Sequence, residues 1–416
     1  MGLARAATRP ILTTAPLAWT FGGGSLSMTA RPAFRWQVPD AVDSPPFLKF
    51  LPLMRAAVEA APHRTDLKVQ LARALFQIKR DAEIVDRLGP HVDEGNVDPE
   101  LSCYVGRAAL ATGDHQLACG ALSIAADKGF APAFGYLAEA LEQAGRHNEA
   151  VDAALRRLHD EPSDFAALRV AARVFLGREE AERLWSLCIE LRARGASGAW
   201  FPAVAAAAAA TLGMEDEFKA LIDPARWFAA TQLSVPDGFN QRLGAELLAL
   251  RSSAAEMRID RLEALGGPFA QEINKKIRLA VEAYVADRDA FRDHAMIAGR
   301  PASVALHSWA LFTQGGKHHG WHIHRAGWIS GVYYVAVPEI EPSCTGHPGA
   351  IEFGPYPFDS AGEDFHDRRW QVTPRPGLLL LFPSYYGHRT QPTGVTDLRI
   401  SVAFDVRPSV IRRGAL

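Results

Sequence analysis

Apolar positions along the first half of the chain recur at helical spacing. After Gly145, the residues Val151, Ala154, Leu155 and Leu158 fall at i, i+3, i+4 and i+7, one face of a helix. Gly113, Gly145 and Gly177 are evenly spaced, and Gly213 follows after a slightly longer interval. Each glycine follows an Ala/Leu-rich run and precedes polar residues that open a second helix. An earlier unit around Leu71, Leu75 and Ile78 fits the scheme with Lys79-Arg80 in place of the glycine, and Pro132 and Pro162 mark turns between units. From Ile222 to Gly299 the spacing stays helical but the repeat is lost; Arg251–Leu265 and Ile273–Phe291 predict amphipathic helices. Beyond Pro301 the pattern changes to short β-rich runs bounded by Gly and Pro: Val304–Phe312, Ile329–Val337, Ala350–Phe353, Leu378–Phe382 and Leu398–Val406. These runs have no crossover helices between them, which predicts a sandwich or barrel.

Paired helices at a period near 34 resemble tetratricopeptide repeats. Such units stack because none can bury its apolar face alone. The predicted organisation is therefore multidomain α + β. A disordered tail occupies 1–45, an α-helical repeat solenoid 46–222, and a helical connector packing on the next domain 223–300; a β domain follows over 301–410. Within the last, 355–376 is long enough to be a lid, and its charge run Asp364–Arg369 reads as a solvated loop.

Composition narrows the function. The chain has 416 residues, 48% of them apolar, and a net charge of −2. Wholesale disorder is excluded, and so is a dedicated nucleic-acid binder or polybasic membrane anchor. No apolar run is long enough to span a bilayer. The stretch from Ile11 to Phe21 makes a poor signal peptide, being interrupted by Thr13, Thr14 and Pro16, and Met28 offers an alternative start. Cys103, Cys119, Cys188 and Cys344 are scattered, which fits a reducing, cytoplasmic setting rather than a disulfide scaffold.

Histidine carries the chemistry. Of 14 histidines, eight lie between His307 and His388. His322 and His324 are two apart, so on a strand both imidazoles share a face and reach one atom. Imidazole is the commonest protein ligand for iron, zinc and copper. His388 follows the strand Leu378–Phe382. A turn at Pro392–Gly394 is expected to return the chain antiparallel, bringing Arg399 back beside His388. Arg399, Ser401 and Ala403 then face one way. An arginine inside a small barrel is costly unless paired, and a carboxylate ligand would pair with it.

Four blocks in order resemble the family of 2-oxoglutarate-dependent Fe(II) oxygenases that in bacteria are often fused to tetratricopeptide repeats. They are His322-Ile-His-Arg-Ala-Gly-Trp-Ile-Ser-Gly-Val-Tyr-Tyr334, Gly349-Ala-Ile-Glu-Phe-Gly354, Gly377-Leu-Leu-Leu-Leu-Phe-Pro-Ser384 and Arg399-Ile-Ser-Val-Ala-Phe404. The resemblance covers about the last quarter of the chain. It implies a double-stranded β-helix (jelly roll) holding Fe(II) at its open end, with 2-oxoglutarate and O2 as cosubstrates, a C–H bond hydroxylated, and succinate and CO2 released. It implies His322 and His388 as metal ligands, Arg399 gripping the distal carboxylate of 2-oxoglutarate, and Ser401 assisting. Tyr333 or Tyr334 could join them, and alternation lets only one face inward. The usual second ligand in the wider superfamily is a carboxylate two residues after the first histidine, where this chain has His324. Three readings follow: a three-histidine site, which we favour; Glu352 from a neighbouring strand as the third ligand; or water in that place. The substrate expected is a peptide or protein bound by the repeats, or a small molecule. The competing function is a repeat scaffold for protein interaction, with a cupin-like barrel that is non-catalytic or holds a structural metal.

Overall fold

The structure is a computed structural model and describes residues 34–39, 49–92, 97–292, 294–339, 348–358 and 365–409. Most of the expected 1–45 tail, part of the 355–376 loop and Cys344 lie outside the described residues. The chain divides into two compact units: residues 40–204, and residues 205–416 together with 1–39.

The first unit is a stack of antiparallel helix pairs. Leu51–Ala60 precedes Thr65–Gln77 and Asp81–Leu88; then come Pro99–Thr112 with His115–Asp127, Pro132–Gln143 with His147–Asp160, and Phe165–Gly177 with Ala181–Ala193. The local chemistry recurs. Asp98 caps one helix by accepting from the N–H of Glu100, ahead of Pro99 at the first helical position. Asp114 and Asp164 cap others in the same way. Left-handed residues close the first helix of each pair: Lys79, Gly113, Gly145 and Glu179, followed by Gly213. Their spacing keeps close to the tetratricopeptide period of about 34 residues. Gly177 is therefore not the equivalent glycine; it ends its helix right-handed, and Glu179 takes the left-handed position just beyond it. Leu71, Leu75, Ile84, Leu88, Leu101 and Val105 form a shared core, each large side chain contributing about 1.5–3 kcal/mol by burial. At Gly106 a Cβ would lie 2.5 Å from Leu122, so the glycine sets how closely its two helices approach.

The second unit is built on two sheets. Its strands are β1 (Arg35–Gln37), β2 (Ala229–Gln232), β3 (Arg258–Asp260), β4 (Ser303–Thr313), β5 (Ile329–Ala336), β6 (Ile351–Gly354), β7 (Trp370–Val372), β8 (Leu378–Pro383), β9 (Gly387–Thr390) and β10 (Arg399–Pro408). The larger sheet runs β1-β4-β10-β5-β8-β2, with β3 also on β4; the smaller runs β7-β6-β9. The sheets meet through aromatic contacts, Phe353 of β6 lying 4.9 Å from Phe382 of β8. The five strands read from the sequence are present. The others are short, spanning only three or four positions each.

Two expectations fail here. Arg251–Leu265 is not one helix: Arg261 is left-handed, and Arg258–Asp260 pair with β4 as β3. Arg35–Gln37, inside the expected tail, form a strand parallel to β4, and the Trp36 indole N–H donates to Glu282 at 2.7 Å. The long helix Pro268–Asp287 packs against Phe239–Ala249, whose Glu246 accepts from the free N–H groups of Phe269 and Ala270 at its start.

Candidate metal and 2-oxoglutarate site

Strand β10 is the spine of the site. Its alternation places Arg399, Ser401, Ala403 and Asp405 on one face. In register they stand beside Thr313, Leu311, Trp309 and His307 of β4. On the other side Ser401, Ala403 and Asp405 stand beside Tyr334, Val332 and Ser330 of β5. A bulge against β5 between Ile400 and Ser401 absorbs one residue, so the phase is kept along the inner face. The inner face of β10, Thr313, Leu311 and Trp309 of β4, Tyr334 and Val332 of β5, and His322, His324 and His388 line a cavity of about 470 Å³.

The three histidines arrive from two segments. His322 and His388 form an antiparallel bridge with reciprocal backbone hydrogen bonds of 3.0 Å. His324 lies a little further along the chain, its backbone N–H donating to Ser384 at 2.9 Å. The His-x-His pair thus sits on an extended segment bridged to β9, not within a long strand. One ring nitrogen from each of the three lies within 4.8 Å of the others.

The tautomers follow from the partners. Nδ1 of His322 faces the Gly320 carbonyl at 2.8 Å, and Nδ1 of His388 faces the Tyr386 carbonyl at 3.0 Å. Nδ1 of His324 faces the Asp405 carboxylate at 2.5 Å. Carbonyls and carboxylates only accept, so each Nδ1 holds a proton, and in a neutral ring that leaves the lone pair on Nε2. Nε2 of His324 and Nε2 of His388 are 3.2 Å apart, close enough to share one proton or one metal ion. A divalent first-row metal among the three Nε2 atoms would satisfy them, and the donor set fits Fe(II), Zn(II) or Cu(II) alike. Burial pushes His322 down to about 4, and burial with the neighbouring His322 and His324 pushes His388 well below its ordinary value. Both are neutral near pH 7, the form a metal requires. Trp309 stacks along His324, and Phe353 along His388, fixing the ring planes.

The other end of the cavity carries a buried cation. Arg399 is 3% exposed; its Nε donates to Thr313 Oγ1 at 3.0 Å and its Nη1 to the Gly349 carbonyl at 2.8 Å. Both partners are neutral, and among the described residues no carboxylate pairs with it. Burial pulls its pKa down, with only Tyr334 opposing. Ser401 and Tyr334 are buried beside it and line the same cavity. Burial pushes the Tyr334 phenol up to about 12, so it is a neutral hydrogen-bond donor. Tyr333 points the other way, its hydroxyl donating to Asn240 at 2.6 Å.

Glu352 is not brought to the histidines. Phe353, its neighbour on β6, pairs with His388, which turns Glu352 to the opposite face. There its carboxylate accepts from Arg389 at 2.6 Å and from Gln391 at 3.1 Å. The expected hairpin also fails: β9 pairs with β6, while both edges of β10 are filled by β4 and β5. Arg399 and His388 share the cavity from different sheets, not as neighbours on one. Residues 359–364 of the predicted lid lie outside the described residues. The remaining part places Arg368 in an ion pair with Glu215 rather than in a free loop.

Sequence reasoning missed Asp405. It is 3% exposed, and Oδ1 accepts from His324 and from Ser330 Oγ at 2.8 Å while Oδ2 accepts from Arg407 at 2.9 Å. Burial pushes its carboxyl up, but the bonds from His324, Ser330 and Arg407 outweigh that and hold it below the usual range. The signal was available. The inward series Arg399, Ser401, Ala403 continues by alternation to Asp405.

Residues 307–405 match the family model described as "Putative 2OG-Fe(II) oxygenase". Solved structures similar to the chain include a prolyl-4-hydroxylase of Pseudomonas putida, 15% identical over 45% of this chain and 92% of that one (TM-score 0.31). HygX from Streptomyces hygroscopicus, solved with iron bound, is 14% identical over 44% of this chain and 83% of its own (TM-score 0.32). YrrB, described as a TPR protein with an unusual peptide-binding site, is 12% identical over 40% of this chain and 91% of its own (TM-score 0.34). No curated protein matches the chain.

Proposed function

We propose that the sheet unit, whose segment 307–405 matches the 2OG-Fe(II) oxygenase family, is a working dioxygenase that hydroxylates a C–H bond. Bound Fe(II), with 2-oxoglutarate and O2, would supply the oxidising chemistry and release succinate and CO2. His322, His324 and His388 would hold the metal through Nε2. Arg399 would fork onto the distal carboxylate of 2-oxoglutarate, with Ser401 and the Tyr334 hydroxyl donating to the same group. The apolar wall of Val332, Ile351 and Phe382 would exclude water from the reacting end. For the substrate we favour a peptide or protein held by the helical repeats, since stacked repeats offer an extended surface.

The observation that carries this reading is Arg399. A buried guanidinium without a carboxylate is unfavourable by several kcal/mol, so its presence in the same cavity as the histidine cluster is best accounted for by a ligand anion. A barrel holding only a structural metal has no use for it. Arg399→Lys keeps the charge and loses the planar fork. It should weaken 2-oxoglutarate binding about 10- to 100-fold, from ~1.5–3 kcal/mol for charged hydrogen bonds, while metal affinity stays unchanged. Anaerobic titration of 2-oxoglutarate into the metal-loaded proteins reads this directly. Equal affinities in both proteins would favour the scaffold with a non-catalytic barrel.

A further inference from the structure

A ligand set of three neutral imidazoles brings no negative charge to a divalent ion. The structure nevertheless has a carboxylate aimed at the site from one residue further out. Asp405 Oδ1 lies 2.5 Å from Nδ1 of His324, on the far side of the ring from the converging Nε2 atoms. Its remaining lone pairs are used by Ser330 Oγ and Arg407, so the carboxylate cannot rotate away without breaking both contacts. Ser330 is itself held by Ser384 Oγ at 2.7 Å, and the Ser384 carbonyl accepts the backbone N–H of His324. The segment carrying His324 and the residue behind its ring are thus fixed by one connected set of hydrogen bonds. The other two histidines donate Nδ1–H only to backbone carbonyls.

We infer that Asp405 is a positioning residue that acts through His324, supplying the negative charge the ligand set lacks. By accepting the Nδ1 proton it fixes the tautomer with the lone pair on Nε2. By its charge it also makes that nitrogen a stronger donor than His322 or His388. Partners of this kind tune metal affinity by about 10- to 100-fold. The inference rests on the three-histidine metal site proposed above and adds that the three ligands are electronically unequal.

The same arrangement bears on a carboxylate placed at position 324. A carboxylate at position 324 looks, from sequence, like a return to an ordinary iron site. In the fold it would face the buried Asp405, and two carboxylates in contact repel. His324→Asp should therefore bind metal more weakly than the parent protein, not better.

The test uses Co(II) and Zn(II) affinity, measured without turnover. Asp405→Asn keeps the shape and removes the charge. It should weaken both metals about 10- to 100-fold. Repeating the substitution in a His324→Ala background should then make no further difference, because the effect runs through that imidazole. Arg407→Gln removes another partner of Asp405 and should leave metal affinity within about threefold. If Asp405 only tied down the end of β10, Asp405→Asn and Arg407→Gln would lower the melting temperature alike and neither would change metal affinity; that result overturns the inference. Should Asp405→Asn not fold, the Zn(II)-loaded parent protein decides. A slowly exchanging, strongly deshielded proton on His324 Nδ1 supports the inference, and a ring without a proton there overturns it. Failure of the parent protein to bind any metal would instead sink the three-histidine reading beneath it.

Discussion

The two units of this chain solve the problem of order in opposite ways. The helical unit is assembled from near neighbours: a cap, two helices and a left-handed turn, repeated along the chain. The sheet unit depends on partners far apart in sequence. Its cavity joins β4, β5, β9 and β10, and the ring of His324 is held by a residue 81 positions away. The lesson is where a single change acts. In the helical unit a substitution is felt within one repeat or its neighbour, because stability there is close to a sum of repeat and interface terms. In the sheet unit one residue can remove a function whose other parts remain in place.

The largest effect expected from this contrast is at His388. His388→Ala should abolish metal retention and turnover while the helical unit melts at its usual temperature. Metal analysis of anaerobically purified protein, with circular dichroism of the helical transition, checks both halves. Iron bound with parental affinity would remove His388 from the site.

Acid should also separate the units. The half-buried His294 stacks on Trp227 at 3.9 Å, and desolvation with the nearby Arg226 pushes its pKa down to about 4. Its folded value lies below its unfolded one, so the unfolded chain takes up the proton first. The stabilisation is complete above about pH 6.5 and lost as the pH falls toward 4; solvent screening of the half-buried ring limits it to about 2 kcal/mol. His294→Phe can keep the stack and cannot titrate. Its sheet unit should therefore lose less stability than the parent between pH 7.5 and 4.5. Identical acid profiles for the two proteins would remove His294 as the cause.

The smallest expected effect tests the repeat logic. Glu179 holds a left-handed conformation that costs a non-glycine residue about 1–2 kcal/mol. Glycine relieves this but gains about 0.5–1 kcal/mol of freedom in the unfolded chain. Glu179→Gly should stabilise the helical unit by about 0.5–1 kcal/mol, raising its melting temperature by about 1–4 °C and leaving metal affinity alone. A lower melting temperature would show that the Glu179 side chain contributes more than the turn conformation costs.

Legibility followed the same division. Helical spacing and turn residues are local signals, so the repeats could be read. Gly177 misleads because the recurring feature is the left-handed position, which Glu179 fills here, and not the glycine. Strands with strong β composition were legible as well. The short strands β1, β2, β3, β7 and β9 were not, because so brief a segment pairs only where an edge is already waiting. Of the site, His322, His324 and His388 could be listed from spacing and order. That Tyr334 rather than Tyr333 faces the cavity required the register of β5 on β10. The roles of Glu352 and Asp405 required knowing which strand each faced. A carboxylate near a histidine in sequence says little, and one as distant as Asp405 says nothing until the strands are paired.

The register of β10 has consequences beyond binding. Arg399, Ser401 and Asp405 occupy a single strand that pairs along its full length with β4. A slip of one residue would turn all three outward together and drive Ile400, Val402 and Phe404 into the cavity. Misassembly of this domain would therefore produce no partly formed pocket. The population would divide sharply into molecules with a complete pocket and molecules with none. An insertion or deletion of one residue in β10 would be a far harsher lesion than most substitutions along it, and heterogeneous preparations should differ in active fraction rather than in the affinity of the active molecules.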